Sequence, residues 1–240
     1  MSEINQLKLP LLTELDKNIE RIRELCGGTS DLLVNKFVTG GIRCALLCCE
    51  GMVSTSSMAE LIFRPVTSIP QQKDAHALFD YINGHLLLSA DRPIASDYDS
   101  LFRLLNSGFA LIIAEGMSVA LAFGAQGFAS KGVSEPSGEG NIMGSHEGFT
   151  EVLRSNMSLI RRRMKSPELV MEMSFKGSQS KTDICLCYMK DRVPDKLMER
   201  IRRSLDRIEL ESILSTGYIR PFTEDGRFEI FSSTGTTERP

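Results

Sequence analysis

Apolar residues recur at helical spacing in residues 144–169, and the rest of the chain can be organised around that stretch. At about 100° per residue, one broad arc of the predicted helix is apolar; it carries Phe149, Val152, Leu153, Met157, Leu159, Ile160 and Met164. The opposite stripe is predicted to face solvent; it carries Arg154, Ser158, Arg161 and Lys165. Ser145 is the predicted N-cap, Glu147 is favourable near the helix N-terminus, and Pro167 limits the far end.

Two polar residues, Asn156 and Arg163, interrupt the apolar arc of this helix. A buried guanidinium needs a charged or carbonyl partner, because an unpaired buried charge costs several kcal/mol or more. We therefore expect Arg163 and Asn156 to tie the helix to a neighbouring loop or domain. Glu135 is the predicted partner of Arg163, since it lies in the linker that has to reach back to the helix.

The rest of the chain alternates between helical and strand-like patterns. Asp97 is a predicted N-cap, and the helix after residue 54 is expected to end before Pro65. In chain order, the predicted elements are a helix over residues 13–26 ended by Gly27 and Gly28, a strand over 44–49, helices over 54–63, 75–88 and 97–106, a hairpin over 109–123 turning at Glu115–Gly116, strands over 169–175 and 183–189, and a helix from Asp195.

An internal similarity indicates two related lobes. Residues 46–53 and 186–193 both read as an apolar strand, a polar turn, a valine and then a helix. The predicted fold class is α/β, with two lobes that each hold a small, mostly buried sheet flanked by helices. The predicted division is an N-terminal helical arm (1–28), a first lobe (29–125), a linker (126–145), a second lobe (146–230) and a tail (231–240). The arm either packs on its own domain or binds a partner.

Composition narrows the functional classes. The net charge of -3 argues against broad electrostatic binding to nucleic acid. No run of 18 or more apolar residues is present, so no membrane-spanning helix is predicted. The six cysteines lack the spacing of a disulfide framework and fit buried, reduced thiols in a cytosolic compartment.

The candidate chemical motifs favour structural explanations, and we predict neither an enzyme nor a cofactor. Gly138-x-Gly140-x-x-x-Gly144 fits no phosphate-binding fingerprint. Ser145, His146 and Glu147 are adjacent at a helix start and point different ways, so they do not form a triad. Cys185-x-Cys187 places two thiols on one strand face, but no second ligand pair follows, so a zinc site is not predicted. An enzyme using His146 or a cysteine is the rival class.

Several separated motifs resemble the A subunit of spore germinant receptors, in the family's order and over residues 30–240. They are Ser134-Glu-Pro136, Gly144 followed by Glu147-Gly-Phe149-Thr-Glu151, Asn156-x-x-Leu159-Ile-Arg161-Arg-Arg163, the strand at Leu186–Met189, then Ile208, Glu211 and Ile213, and Thr237-Glu-Arg-Pro240. The chain departs from the family at Ser145, where proline is usual, and at the plainer segment 127–131. The motif residues predicted to have structural or relay roles are Glu135, Pro136, Glu147, Phe149, Asn156, Arg161 and Arg163.

The resemblance implies a soluble N-terminal region of a receptor subunit in the spore inner membrane, on the core side, with the tail leading to a membrane region absent from this sequence. It implies B and C subunits as partners, contact with the membrane through that absent region, and a response to small nutrients such as amino acids, sugars or nucleosides. Three roles stay open for the region: ligand binding in the cleft between lobes, relay of a signal, and a pure oligomerisation platform that self-associates.

Overall fold

The computed structural model describes residues 6–86, 89–127, 147–223 and 235–240, apart from the side chain of Leu61. The strands are β1 (Leu32–Thr39), β2 (Ile42–Cys49), β3 (Ile94–Ala95), β4 (Phe109–Ala114), β5 (Ala120–Gly124), β6 (Leu169–Lys176) and β7 (Thr182–Met189). The helices are α1 (Leu15–Leu25), α2 (residues 55–67), α3 (Ala75–His85), α4 (Tyr98–Leu105), α5 (Leu153–Arg163), α6 (Asp195–Asp206) and α7 (Arg220–Thr223), with a 3₁₀ turn at Thr216–Tyr218.

Five strands form an antiparallel sheet in the order β1-β2-β4-β5-β3. Gly40 and Gly41 join β1 to β2, and both have positive φ angles, 54° and 79°. A two-residue hairpin with positive φ at both positions matches the right-handed twist of its strands, and glycine adopts it without steric cost. The predicted hairpin at residues 109–123 is confirmed as β4 and β5.

Helices cover both faces of this sheet, and the sheet with α1–α4 is called the first lobe below. Helices α1 and α4 share one apolar cluster with alternate residues of β2, β4 and β5. Helices α2 and α3 share a second cluster with the intervening residues of the same strands. Burial on both sides explains why β2 and β4 read as continuous apolar runs instead of alternating. Helix α1 packs on its own domain, the first of its two expected roles.

Helix α2 continues through Pro65, where the sequence predicted an end. The stretch runs as α-helix over Thr55–Met58, π-helix over Ala59–Phe63 and α-helix over Arg64–Thr67. Pro65 stands in the first turn of the last segment, where a missing N–H leaves no hydrogen bond unmade. The prediction that the helix ends before Pro65 was therefore wrong, because the π turn resets the hydrogen-bond register just ahead of the proline.

Strands β6 and β7 form a two-stranded antiparallel sheet that, with α5 and α6, is called the second lobe. Helix α5 packs against one face of this sheet through Met157, beside Leu169 and Met171. Residues of β7 are half-buried, so this sheet is more exposed than the first. The mixed α/β class with two lobes is confirmed. The exact lobe boundaries stay a prediction, and most of the linker at 126–145 lies outside the described residues.

The predicted internal similarity is present in the structure and is longer than the sequence indicated. In each lobe an 11-residue helix precedes two 8-residue antiparallel strands, and a turn then leads into a further helix. Even the backbone hydrogen bonds that extend the two hairpins match: Glu50 N donates to Asp31 O, and Lys190 N donates to Glu168 O. Among the described residues, no helix is long and apolar enough to cross a bilayer.

Candidate functional site

The polar stripe of α5 faces the first lobe, although the sequence predicted that it would face solvent. Its residues meet partners there one turn after another: Arg154 meets Glu50, Ser158 meets Gly51 and Arg161 meets Asp31. Just beyond the end of the helix, Lys165 meets Ser107. The apolar side of the helix lies on the second sheet. The helix therefore packs between the second sheet and the first lobe. Its arginine-bearing stripe can contact the first lobe because Glu50 and Asp31 lie opposite it.

Arg161 is buried at the centre of this contact, with 2% of its surface exposed. Its Nε and Nη2 atoms donate to the two carboxylate oxygens of Asp31 at 2.9 Å each, the bidentate geometry that arginine favours. Its Nη1 and Nη2 atoms also donate to the carbonyl oxygens of Ser166 and Leu169, respectively, both at 3.0 Å. Thr29 donates its hydroxyl proton to Asp31. Each charge is therefore paired and hydrogen-bonded, which is the condition for burying an ion pair.

The loop before β1 also bonds to the backbone of β6. Ser30 N donates to Met171 O at 2.8 Å, and Met171 N donates to Thr29 Oγ1 at 3.0 Å. Met173 N donates to Ser30 Oγ at 3.3 Å. The buried Asp31–Arg161 pair and these bonds together join the two lobes at one end of their shared boundary.

A polar cleft of about 670 Å³ lies between the turn after β2 and the first half of α5. Gly51 brings the two walls together, because a Cβ atom there would stand 3.1 Å from Ser158 Cβ and 3.2 Å from Arg154 O. Glu50 and Arg154 form an ion pair across it, with 29% and 56% of their side chains exposed. Hydroxyl groups make up much of the remaining lining: Ser54, Thr55, Ser56, Ser155 and Ser158.

A second open depression of about 470 Å³ begins on the other side of the same ion pair. It shares Glu50 and Arg154 with the cleft and continues past Met173 and Phe175 to Asp183. The Glu50–Arg154 pair therefore stands as a partition between two solvent-filled spaces. Both of its side chains are accessible to a small molecule in either one.

The motif residues at the ends of α5 hold the segments beside it. Asn156 accepts from Thr150 N and donates to Thr150 O, both at 2.7 Å, and so fixes the chain entering the helix. Arg163 donates to Pro240 O at 2.7 Å and to Glu147 at 3.2 Å. The backbone N–H of Phe149 donates to Glu238 O at 2.7 Å.

Three expectations about this helix were wrong. Arg163 is not buried, since 38% of its side chain is exposed, while Arg161 is the buried guanidinium. The helix begins at Leu153, and its N-cap position, Val152, makes no side-chain cap bond, so Ser145 does not cap it. Glu147 therefore pairs with arginines at the helix C-terminus, and the Arg162 guanidinium, with Arg163 beside it, holds the pKa of Glu147 below its usual range.

Other predicted positions lie outside the described residues: Glu135, Pro136, Ser145 and His146. The predicted pairing of Glu135 with Arg163 stays a prediction. Burial raises the pKa of the Cys44 thiol to about 12 and that of Cys48 to about 11, so neither is a ready nucleophile at neutral pH. In the part of the chain that the structure describes, no three His, Cys, Asp or Glu residues stand together as a metal site.

Sequence reasoning missed Asp31, Glu50 and Arg154. Asp31 stands between a glycine-ended helix and an apolar strand, where an acidic residue is ordinarily a surface turn residue. Its burial depends on Arg161, which is 130 residues away. Glu50 was visible only as the polar turn of the internal repeat.

The chain matches the family described as Bacillus/Clostridium GerA spore germination protein over residues 20–240. It belongs to the GerA family. A curated relative from Bacillus subtilis (strain 168), spore germination protein KA, is 33% identical over 229 residues, covering 94% of this chain and 42% of the relative. Spore germination protein B1 of the same organism is 27% identical over 233 residues, covering 95% of this chain and 47% of the relative.

A solved structure confirms the fold. The N-terminal domain of the A subunit of the Bacillus megaterium spore germinant receptor GerK3 superposes with a TM-score of 0.68 at 26% identity, covering 96% of this chain and 86% of that one. The resemblance to germinant receptor A subunits is thereby confirmed. This GerA-family chain spans less than half the length of the curated relatives named above.

Proposed function

We propose that this chain is the part of a germinant receptor A subunit that binds a small polar nutrient in the cleft and passes its occupancy to the rest of the receptor. The Glu50–Arg154 ion pair carries the proposal, because it puts both signs of charge at the surface of a cleft that is otherwise lined by hydroxyl groups. A ligand that carries both charges, such as an amino acid, could replace the Glu50–Arg154 pair by two new ion pairs, one between its ammonium group and Glu50 and one between its carboxylate and Arg154. The hydroxyl groups suit a polyol equally.

The contact between lobes supports a cleft that can change width. It includes the ion pairs and hydrogen bonds along the polar stripe of α5 and the hydrogen bonds between the loop before β1 and β6. None of the apolar clusters found among the described residues contains side chains from both lobes. Polar boundaries of this kind allow relative motion more readily than apolar ones. A ligand that contacts both walls shifts the protein from an open cleft towards a closed one, by an amount set by the difference between its binding free energies for the open and closed forms.

Helix α5 supports the relay part of the proposal. Its first half lines the cleft through Arg154, Ser155 and Ser158. Its last turn carries Arg162 and Arg163, which hold Glu147 and the carbonyl of Pro240. One helix of 11 residues thus touches both the proposed ligand and the segment 238–240. A shift of α5 on ligand binding would change the contacts of that segment.

A thermal-shift screen against amino acids, sugars and nucleosides tests ligand binding. A ligand at 100 times its dissociation constant stabilises the native state by about 2.7 kcal/mol, a rise of roughly 5–10 °C for a chain of this size. The Glu50→Gln and Arg154→Met variants should lose the rise. Arg43→Gln, which removes two exposed ion pairs outside the cleft, is the control and should keep it. No rise at millimolar concentrations would contradict the sensing proposal.

Hydrogen exchange measured with and without the ligand tests the relay. Slower amide exchange in residues 147–150 and at residues 238 and 239 is expected on ligand addition. A response confined to the residues lining the cleft would refute it.

Assembly without ligand binding is the second candidate, and exposed apolar side chains favour it. Val38 is 64% exposed, Phe175 62% and Leu214 78%. In this proposal the chain joins B and C subunits, or a second copy, at the spore inner membrane. If the chain self-associates, its molecular mass in solution should rise with protein concentration. A monomer at every concentration would exclude self-association.

A further inference from the structure

Four sulfur-bearing side chains form a square on the face of the second sheet that packs against α5. Cys185 and Cys187 lie on that face of β7, two residues apart. The strand register sets Met173 directly opposite Cys185 and Met171 directly opposite Cys187. Side chains at directly opposed positions of an antiparallel pair have Cβ atoms about 4.5–5.5 Å apart. Met157 of α5 and Met189 of β7 belong to the same cluster.

The thiols of Cys185 and Cys187 are close together in the structure. Their Sγ atoms are 3.5 Å apart and share a hydrogen bond. Two sulfur atoms this close together on one strand face can both contact a single ion.

We propose that Cys185 and Cys187, with Met171 and Met173, form a binding site for one Cu(I) ion. Thiolate and thioether sulfurs are the soft ligands that select Cu(I). Zinc sites are built from cysteine, histidine and carboxylate ligands, and thioethers contribute nothing to them. On binding, Cu(I) replaces the proton of each thiol that it contacts, the proton passes to solvent, and neither copper nor sulfur changes oxidation state.

The site has an entrance. Met173 also lines the open depression of about 470 Å³ that runs between Glu50 and Asp183, so one thioether of the square borders solvent. Cys185 and Cys187 are half-buried, whereas Met171 is fully buried behind them. An ion would therefore reach Met173 and the thiols first, with Met171 closing the inner side of the site.

Anaerobic titration of the reduced protein with Cu(I) held as its coloured bicinchoninate complex tests the site. Wild-type protein should withdraw one equivalent of copper. The Cys185→Ser/Cys187→Ser double variant should withdraw none, and Met173→Leu should bind about tenfold more weakly. Cys44→Ser/Cys48→Ser removes the same number of thiols from the first lobe and is the matched control; Cys48→Ser alone replaces it if the double variant does not fold. Circular dichroism checks that each variant keeps its secondary structure.

Three results would overturn the proposal. One is undiminished copper uptake by the folded Cys185→Ser/Cys187→Ser variant. Another is an equal loss in the control variant, which would mark copper as bound by scattered thiols. The third is uptake of Zn(II) in competition with an equimolar Cu(I) supply, because a four-sulfur site with two thioethers has to prefer the softer ion. None of these results bears on nutrient binding in the cleft, so the two proposals fail independently.

Discussion

Replacing Arg161 by methionine should destabilise the native state more than replacing any other arginine of α5. The substitution keeps an unbranched side chain of moderate length but leaves the carboxylate of Asp31, which is 1% exposed, without its cation. Breaking a buried pair by removing one partner costs about 3–5 kcal/mol, because an uncompensated charge stays buried. The carbonyl groups of Ser166 and Leu169 also lose their donors.

For a chain of this length, such a loss lowers the melting temperature by about 6–20 °C. The second single variant is Asp31→Leu. The double variant Arg161→Met/Asp31→Leu removes both charges, and it should be less destabilised than the sum of the two single variants by about 2 kcal/mol. Arg163→Met is the control, and it should change stability by less than about 1 kcal/mol, since Arg163 is partly exposed and its ion pair is screened by solvent.

Denaturant unfolding followed by far-ultraviolet circular dichroism provides the free energies for this cycle, and calorimetry checks the melting temperatures. A loss below about 1 kcal/mol for Arg161→Met, or additive effects in the double variant, would refute the burial and coupling of the pair. A larger loss for Arg163→Met than for Arg161→Met would mean that α5 is rotated from the orientation described here.

Three further predictions concern glycine positions and pH. Gly51→Ala should destabilise the protein by about 1–3 kcal/mol, because φ is +75° there and the new Cβ would press on Ser158; chemical denaturation measures it. Gly84→Ala, within α3 and with open space around the new Cβ beyond the helix's own backbone, should stabilise it by about 0.5–1 kcal/mol in the same assay. Arg162 lowers the pKa of Glu147, so the ionised Glu147 stabilises the native state above the ordinary glutamate pKa, and this stabilisation is lost as pH falls through the lower native value. Glu147→Gln should therefore flatten that part of the profile of unfolding free energy against pH. An unchanged profile would contradict the pairing.

Helices α1, α3 and α4 and strands β2, β4 and β5 could be predicted, because local patterns determine them; the bounds of β1 and the two-residue strand β3 were not predicted. The apolar runs of β2 and β4, the Asp97 cap and the two glycines that end α1 all act over a few residues. The capping box confirms this for Asp97, whose side chain accepts from Ser100 N at 2.7 Å. The predicted end of α2 was four residues too early, because Pro65 was taken to end the helix, whereas the preceding π turn accommodates the proline.

The candidate site could not be predicted in the same way, because each of its parts depends on contacts between distant segments. The helical wheel correctly grouped Arg154, Ser158, Arg161 and Lys165 on one stripe. It could not tell solvent from a second lobe on that side, since charged residues are ordinarily solvated. Likewise, Cys185-x-Cys187 showed no further ligands in sequence, because Met171 and Met173 join it only through the register of β6 and β7.

The polar character of the interlobe contact has a thermodynamic consequence. Exposure of apolar surface raises the heat capacity, and exposure of polar surface lowers it. Unfolding either lobe exposes an apolar core and should raise the heat capacity, whereas separating α5 from the first lobe exposes mainly charged groups and should change it little or in the opposite direction. Cooling weakens apolar cores but not this contact. Opening of the cleft is thus expected to depend only weakly on temperature, and calorimetry can tell it from the loss of either core.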